Sequence, residues 1–326
     1  MSKVAVVILN YNGKTFLETF LPSVIQNSGG NEVIVADNAS TDDSVAFLHS
    51  HFPEVKLIQM SQNQGFAGGY NAALQQVQAQ YYVLLNSDVE VTPNWIEPII
   101  KLMDNDESIA ACQPKILSYH EKTHFEYAGA AGGYIDWLGY PFCRGRVFDS
   151  YEKDTGQYND TKEIFWATGA CMFVRADVFH SLGGFDANFF AHMEEIDLCW
   201  RMKNADYKIM YSSESKVYHV GGGTLHKSNP RKTFLNYRNG LAMLYKNLPS
   251  GKVFYTILLR LILDGISGIK LVLDGQLNDC LAIIKAHFAF YVMIPKLERK
   301  KTKQVYPIYS KSIVWEYFVR KNKPQV

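Results

Sequence analysis

Short apolar runs alternate with longer amphipathic ones through the first half of the chain. Val4–Leu9 is continuously apolar, with three valines and an isoleucine, the pattern of a strand buried on both faces. Thr15–Gln26 reads as a helix that Asn27-Ser28-Gly29-Gly30-Asn31 breaks. Glu32–Ala36, Val55–Gln59 and Tyr81–Leu85 repeat the strand pattern. Asp42–Ser50, Gly69–Gln80 and Pro93–Asn105 supply the helices between and after them. Such alternation predicts right-handed crossovers and an α/β fold with a Rossmann-like, mainly parallel sheet flanked by helices.

The stretch from Glu107 to about Thr161 is less regular, with Gly129–Gly133 and several aromatics. Phe165–Val174 then reads as a strand, followed by a helix from Ala176 and a second helix over Glu194–Asn204. Lys208–Tyr211 and Lys216–Tyr218 read as two short strands before Gly221-Gly222-Gly223. From Phe234 the chain turns to apolar helices, a C-terminal helical appendage. Val253–Leu273 is interrupted by Arg260, Asp264 and Lys270, which fall on one half of a helix and leave Phe254, Ile257, Leu258, Leu261 and Val272 on the other. Leu281–Ile294 is a second apolar stretch, ending at Pro295. The change of character divides the chain into a catalytic part, 1–245, and an amphipathic basic part, 246–326.

Charge sharpens that division. The whole chain carries +1, yet nine Lys or Arg face two acids from Lys296 onward, so the tail holds +7 and the remainder −6. The near-neutral total gives no reason to expect nucleic acid. Apolar helices followed by a cationic tail suit a membrane surface, with packing on the catalytic part or on a second copy (a homodimer) as the alternative. The five scattered cysteines show no zinc spacing and read as buried thiols of a reducing compartment. Val4–Leu9 is too short for a signal peptide, so the expected location is cytoplasmic, peripheral to the inner face of the cell membrane.

In open parallel sheets, ligands bind beyond the carboxyl ends of the strands. The polar clusters fall there: Asn10-Tyr11-Asn12, Asp37-Asn38-Ala39-Ser40, Asn63–Gly69 and Asn86-Ser87-Asp88. Asp88, at a strand exit, is the candidate ligand for Mg2+ or Mn2+; alone, such an Asp is more often a turn former. Asp37 can accept hydrogen bonds from a base or ribose, Tyr11 can stack on a base, and the glycines from Gly65 to Gly69 permit close backbone approach at a helix start. Glu194, Glu195 and Asp197 crowd one helix N-terminus. Some acids there merely favour the helix dipole, and one is the candidate general base. His219 can complete a metal site, with the following glycines folding over a diphosphate. Arg231, Lys232 and Arg238 are candidate phosphate contacts.

Seven segments in order, VVILNYNG, VADNASTDDS, NQGFAGGYNAAL, LLNSDVEV, TGACMFVRADVF, GGFDANFFAHMEEIDLCWR and VYHVGGGT, give the chain a specific resemblance to glycosyltransferase family 2 of the GT-A fold over roughly residues 3–245. Within the family it is similar to bacterial rhamnosyltransferase-like members that build cell-surface polysaccharide. The resemblance implies an inverting, metal-dependent hexosyltransferase taking a nucleotide-sugar donor, dTDP-rhamnose or a UDP-sugar. The implied acceptor is a glycan, lipid-linked in this setting. By resemblance Asp37 is the base-binding acid, Asp88 the last residue of the DxD motif, and His219 the imidazole that joins the metal. Tyr11, Gly69 and Asn71 line the nucleotide, and Trp166, Thr168 and Gly169 border the transferred sugar. The catalytic base aligns with Glu194 and Glu195. Two departures stand out: the DxD position reads Asn86-Ser87-Asp88, and Glu195 replaces the family's Asp, so Glu194 remains its rival. A sugar nucleotidyltransferase lacks its Gly-rich triphosphate loop here, and a catalytically inactive nucleotide-sugar-binding protein would not need Asp37, Asp88, Glu195 and His219 together.

Overall fold

The computed structural model describes residues 2–221, 229–299, 308–322, 324 and 326. In chain order the first half runs β1 (Ser2–Asn10), α1 (Lys14–Asn27), β2 (Glu32–Asp37), α2 (Ser44–His51), β3 (Lys56–Gln59), α3 (Gly65–Leu74), β4 (Ala79–Asn86), β5 (Val89–Val91) and α4 (Glu97–Asn105). The middle adds β6 (Ile109–Ser118), β7 (Gly133–Ile135), β8 (Pro141–Cys143), β9 (Arg146–Val147), β10 (Ser150–Tyr151), β11 (Thr161–Ile164), β12 (Cys171–Arg175), α5 (Ala176–Ser181), α6 (Glu194–Asn204) and β13 (Lys208–His219). Three long helices follow: α7 (Pro230–Asn247), α8 (Ser250–Leu273) and α9 (Leu277–Met293).

The main sheet has the order β11-β13-β6-β12-β4-β1-β2-β3, with β5 on β13. Strands β1 to β4 pair in parallel, as do β6 and β13. β12 runs antiparallel between β4 and β6, and β11 runs antiparallel on β13. The sheet is therefore mixed but mostly parallel. Alternation explains why the central strand β1 is apolar through Val4–Leu9: Val4, Val6 and Ile8 enter one core with Leu17, Leu21 and Ile99, while Ala5 and Val7 enter the other with Tyr70 and Ile196. Helices cover both faces, so neither set of side chains meets water.

Several boundaries differ from the pattern. α3 begins at Gly65 and ends at Leu74, earlier at both ends than the Gly69–Gln80 expectation. Gly65 holds a left-handed φ of +70°, and a Cβ there would lie 2.4 Å from the Phe190 carbonyl oxygen, so only glycine can open the helix at that point. The expected strand Phe165–Val174 is instead a crossing segment over 165–170, which leaves the end of β11, followed by β12. The irregular stretch after Glu107 contains β6, buried along nearly its whole length, and the four-stranded sheet β10-β9-β8-β7. The two short strands expected after Lys208 are one strand, β13, whose pairing with β6 shifts register between Ser212 and Lys216.

Helix α8 turns two of its three charges inward, while Lys270 stays exposed and Ile257 and Leu261 of the opposite half pack on the core; α9 buries a mainly apolar face with Ala282, Ile283, Ala286 and Phe290. Arg260 and Asp264 are buried, whereas Phe254, Ile262, Ile266 and Leu273 are exposed. Arg260 donates to the Leu138 carbonyl at 3.0 Å and lies 3.8 Å over the Tyr140 ring, while Tyr140 and His287 both reach the Asp264 carboxylate. Leu277–Lys296 is long and apolar enough to cross a membrane by length and composition, with a third of its most apolar window buried.

Candidate active site

The four polar loops meet at the carboxyl edge of the sheet. Asn10, at the end of β1, donates to the Asp37 carboxylate at 3.1 Å and to Ser40 Oγ at 3.2 Å; Ser40 in turn donates to Asp37 through both its hydroxyl and its backbone N–H. Asn12 accepts from the Thr41 and Asp42 backbone N–H groups, which fixes the loop after β2. Asn38 donates to the Gly65 carbonyl and to Asn63, and accepts from the Gln64 N–H. Tyr11 stands 40% exposed beside these buried amides, free to present its ring face. A Cβ on Gly69 would lie 3.1 Å from Asn38 Nδ2, so the bare backbone lets α3 approach that loop. The result is a rigid polar floor in which Asp37 is 2% exposed and Asn10 Oδ1 lacks a partner among the described residues.

Asp88 and His219 are brought together although 131 positions separate them in sequence. β5 folds back onto β13, pairing Val89 with His219, and the preceding Asp88 Oδ1 comes to 3.2 Å from His219 Nε2. Asn86 Nδ2 lies 3.5 Å from the same nitrogen, and Ser87 faces the loop that ends at Gly13. On the far side of the ring, Nδ1 meets the Glu126 carboxylate at 2.9 Å. Glu126 has no counterpart in the sequence reading. Burial works against the charges on Asp88 and Glu126, but the imidazole between them outweighs it and holds both below their usual range. Burial likewise opposes a charged His219, and the two carboxylates more than offset it, so the imidazole lies well above its ordinary value.

This donor set fits a divalent ion. Adjacent corners of an octahedral Mg2+ site are about 3 Å apart, the separation seen between Asp88 Oδ1 and His219 Nε2. To hold a divalent ion this imidazolium would give up its Nε2 proton; with the remaining proton on Nδ1 facing Glu126, Nε2 would then offer its lone pair. Among the described residues no group of three acids, histidines or cysteines converges on a single ion position, so diphosphate oxygens and water would fill the remaining corners. Gly222 and Gly223 lie outside the described residues.

The acidic helix start is the second centre. Glu194 is 3% exposed, and one carboxylate oxygen of Glu194 and one of Glu195 are buried with no hydrogen-bond partner among the described residues. Burial raises Glu195 to about 7, and burial together with the Glu195 charge raises Glu194 well above its ordinary value. Asp197 differs: Arg201, Lys246 and Asn247 bind it, and they outweigh its burial to keep it ionised. The three acids thus separate into two proton-holding carboxyls and one structural carboxylate. His192, just upstream, is pushed down to about 4 by burial and by Lys232.

The remaining sequence candidates take varied places. The 165–170 segment runs between the two centres. Ala170 accepts from the Asn86 N–H, Thr168 N–H donates to Gln113, and Ala167 N–H points at Cys199 of α6. A Cβ on Gly169 would meet the Phe66 ring at 2.8 Å. Trp166 donates its ring N–H to the Tyr134 carbonyl and packs over Gly133. Asn71 uses both amide atoms on the Phe185 backbone. Arg238 donates to the Asn188 and Phe189 carbonyls rather than facing open solvent. At the start of α7, Arg231 lies 5.1 Å over the Phe190 ring and Lys232 5.1 Å from the Tyr127 ring, next to Glu126.

Residues 5–183 match the family described as Glycosyl transferase family 2. The chain belongs to that family. Its relatives include the N-acetylglucosaminyl-diphospho-decaprenol L-rhamnosyltransferase of Mycobacterium tuberculosis, 25% identical over 66% of this chain and 75% of that protein. The O-antigen chain rhamnosyltransferase WbaN of Salmonella anatum is 26% identical over 73% of this chain and 70% of its own length. Among solved structures, GalNAc-T7 with UDP, GalNAc and Mn2+ aligns with a TM-score of 0.55 at 18% identity, covering 67% of this chain and 43% of that one. The mannosyltransferase PcManGT of Pyrobaculum calidifontis, with GDP-Man and Mn2+, aligns at 0.53 and 14% identity over 90% and 79%. The family 2 chain therefore has a GT-A-like fold with a C-terminal set of helices.

Proposed function

We propose that this chain is an inverting, divalent-metal-dependent glycosyltransferase that moves rhamnose from dTDP-rhamnose, or a hexose from a UDP-sugar, to a hydroxyl of a lipid-linked glycan during cell-surface polysaccharide synthesis. The observation that carries the reading is the 3.2 Å approach of Asp88 Oδ1 to His219 Nε2 at the edge where Asp37 and Asn10 form a polar floor. Asp88 and His219 would hold Mg2+ or Mn2+, oriented by Glu126. A bound ion supplies charge neutralisation for the departing diphosphate.

The chain's own groups do the rest. Asp37 accepts from the base or ribose, and Tyr11 offers its ring. Glu195, assisted or rivalled by Glu194, takes the proton of the acceptor hydroxyl. That oxygen forms a bond to the anomeric carbon as the carbon–oxygen bond to the diphosphate breaks, and the diphosphate leaves with the electron pair. A carboxyl poised at about 7 is matched to this task near neutral pH. The names of the two rhamnosyltransferase relatives support the donor and acceptor classes. The exposed apolar residues of α8 and α9, with Trp315, Phe318 and cationic Lys296 and Lys311 nearby in sequence, support peripheral contact of the 246–326 region with a membrane surface. A homodimer through the same face is the other outcome of a sizing experiment in lipid-free buffer.

Thermal unfolding in the presence of dTDP-rhamnose and a panel of UDP-sugars, with and without Mn2+, tests the reading. One donor should raise the midpoint only when Mn2+ is present, and Asp88→Ala should remove that response. An unchanged midpoint across the panel, or an Mn2+-independent response that survives Asp88→Ala, contradicts it.

A further inference from the structure

The backbone that leads into the acidic helix is strained. Phe190, His192 and Met193, none of them glycine, have φ of 66°, 69° and 73°, and left-handed residues of this kind cost about 1 to 3 kcal/mol each unless their surroundings impose the conformation. The surroundings here do so through the carbonyls. Phe190 C=O accepts from Ala67 N–H of α3 at 3.1 Å, and Met193 C=O accepts from Asp197 N–H of α6. The other three, of Phe189, Ala191 and His192, lie 2.9, 2.8 and 2.8 Å from the amide Nδ2 of Asn239, whose two N–H bonds are shared among them, and Phe189 C=O also accepts from Ala191 N–H. Asn239 is fully buried on α7, and its own Oδ1 is oriented by Arg238 Nε at 2.9 Å, whose other end reaches Phe189.

We infer that Asn239 is a positioning residue for proton abstraction: from α7 it clamps the left-handed 189–193 segment and so aims the Glu194–Glu195 pair at the acceptor hydroxyl. The clamp rests on the base reading given above. Every carbonyl from 189 to 193 is thereby satisfied, which a loop of ordinary helix-entry geometry would not require. Because Phe190 is tied to α3 and its donor-side loop, the same segment sets the base relative to the nucleotide floor. Releasing it should let Glu195 swing and hydrate, and misplacement of about 1 Å at such a site costs on the order of 100-fold in rate.

The test is Asn239→Ala in the full chain, with Asn239→Ser measured in its place if the alanine variant does not fold. Transfer from dTDP-rhamnose with Mn2+ to a diphosphate-linked N-acetylglucosaminyl lipid is followed by dTDP release. The expected result is a loss of roughly 100-fold in kcat with donor KM within about twofold. The acid limb of the pH profile should move downward as Glu195 is hydrated; among the described residues the groups facing that carboxyl are Glu194, Cys199 and Cys143. Adding Met193→Gly, which adopts a positive φ without strain, should restore part of kcat. Hydrogen exchange supplies an arm that needs no substrate: amides 190–197 should lose protection ahead of the sheet. A folded variant with parental kcat and acid limb, parental protection over 190–197, or no recovery on adding Met193→Gly overturns the clamp. If Glu195→Gln and Glu194→Gln both keep parental rates, the base reading itself fails; if either is inactive while Asn239→Ala behaves as the parent, only the clamp fails.

Discussion

Glu195→Gln should remove transfer and at the same time make the protein more stable. Burial raises the Glu195 carboxyl from an ordinary 4.5 to about 7, so the folded state binds its proton more tightly than the unfolded chain does. Stability therefore falls as pH rises from about 4.5 to about 7 and stays lower above that window. At about 1.4 kcal/mol for each tenfold difference in proton affinity, the cost at pH 8 is roughly 3 kcal/mol; at pH 5 it is under about 1 kcal/mol. Glutamine keeps the shape of the protonated acid without its titration. Urea unfolding of parent and variant at both pH values measures the difference, and the rate of nucleotide diphosphate release measures the chemistry, where losing a general base costs about 100- to 10,000-fold. The Glu194–Glu195 pair releases its protons jointly, so the gain belongs to the pair rather than to one carboxyl. Equal stability of parent and variant at pH 8, or full transfer by the variant, refutes the reasoning.

Glu126→Gln preserves the contact with His219 Nδ1 but removes its charge; the Mn2+ concentration for half-maximal donor hydrolysis should rise about 10- to 100-fold, read by a metal titration. Asp264→Ala leaves Arg260 buried without its carboxylate and should lower unfolding free energy by about 3 to 5 kcal/mol, whereas Arg260→Met with Asp264→Leu should cost much less; urea denaturation separates the two. Ile262→Glu with Ile266→Glu, both more than half exposed, should abolish flotation with anionic vesicles while leaving donor hydrolysis in solution unchanged.

The strands β1, β2 and β4 and the polar loops after them were legible because each carries a buried continuous apolar run and each exit carries amides or carboxylates, whereas the edge strand β3 shows only Leu57 and Ile58 between polar ends. β6 was not, since Gln113-Pro114-Lys115 interrupts it with a polar residue, a proline and a charge. The fold makes those residues tolerable one by one. Gln113 bridges Thr168 N–H and the Gly129 carbonyl, Lys115 pairs with Asp154 and Asn159, and Pro114 sits where the pairing with β13 skips residues. Glu126 was invisible for a different reason. It belongs to no motif, and only the return of β13 beside β6 carries His219 to it. The helix α8 shows the limit of periodicity, which separates two halves but does not say which residues of each turn to the protein. Here the loop holding Asp136 and Tyr140 offers a carbonyl, a ring and a hydroxyl, and that draws Arg260 and Asp264 inward while Lys270 of the same half stays exposed.

The buried Arg260 has a practical corollary for anyone trimming this protein. A cut after α7 falls where sequence character changes, yet it would strip the Leu138 carbonyl and the Tyr140 ring of their cover and remove Ile313, whose N–H donates to Asp136. The 135–140 loop, attached to the small sheet and through Tyr134 to Trp166, would lose its outer wall. The shortened chain would keep the polar floor of Asn10 and Asp37 and lose the wall that shapes the opposite side of the cleft.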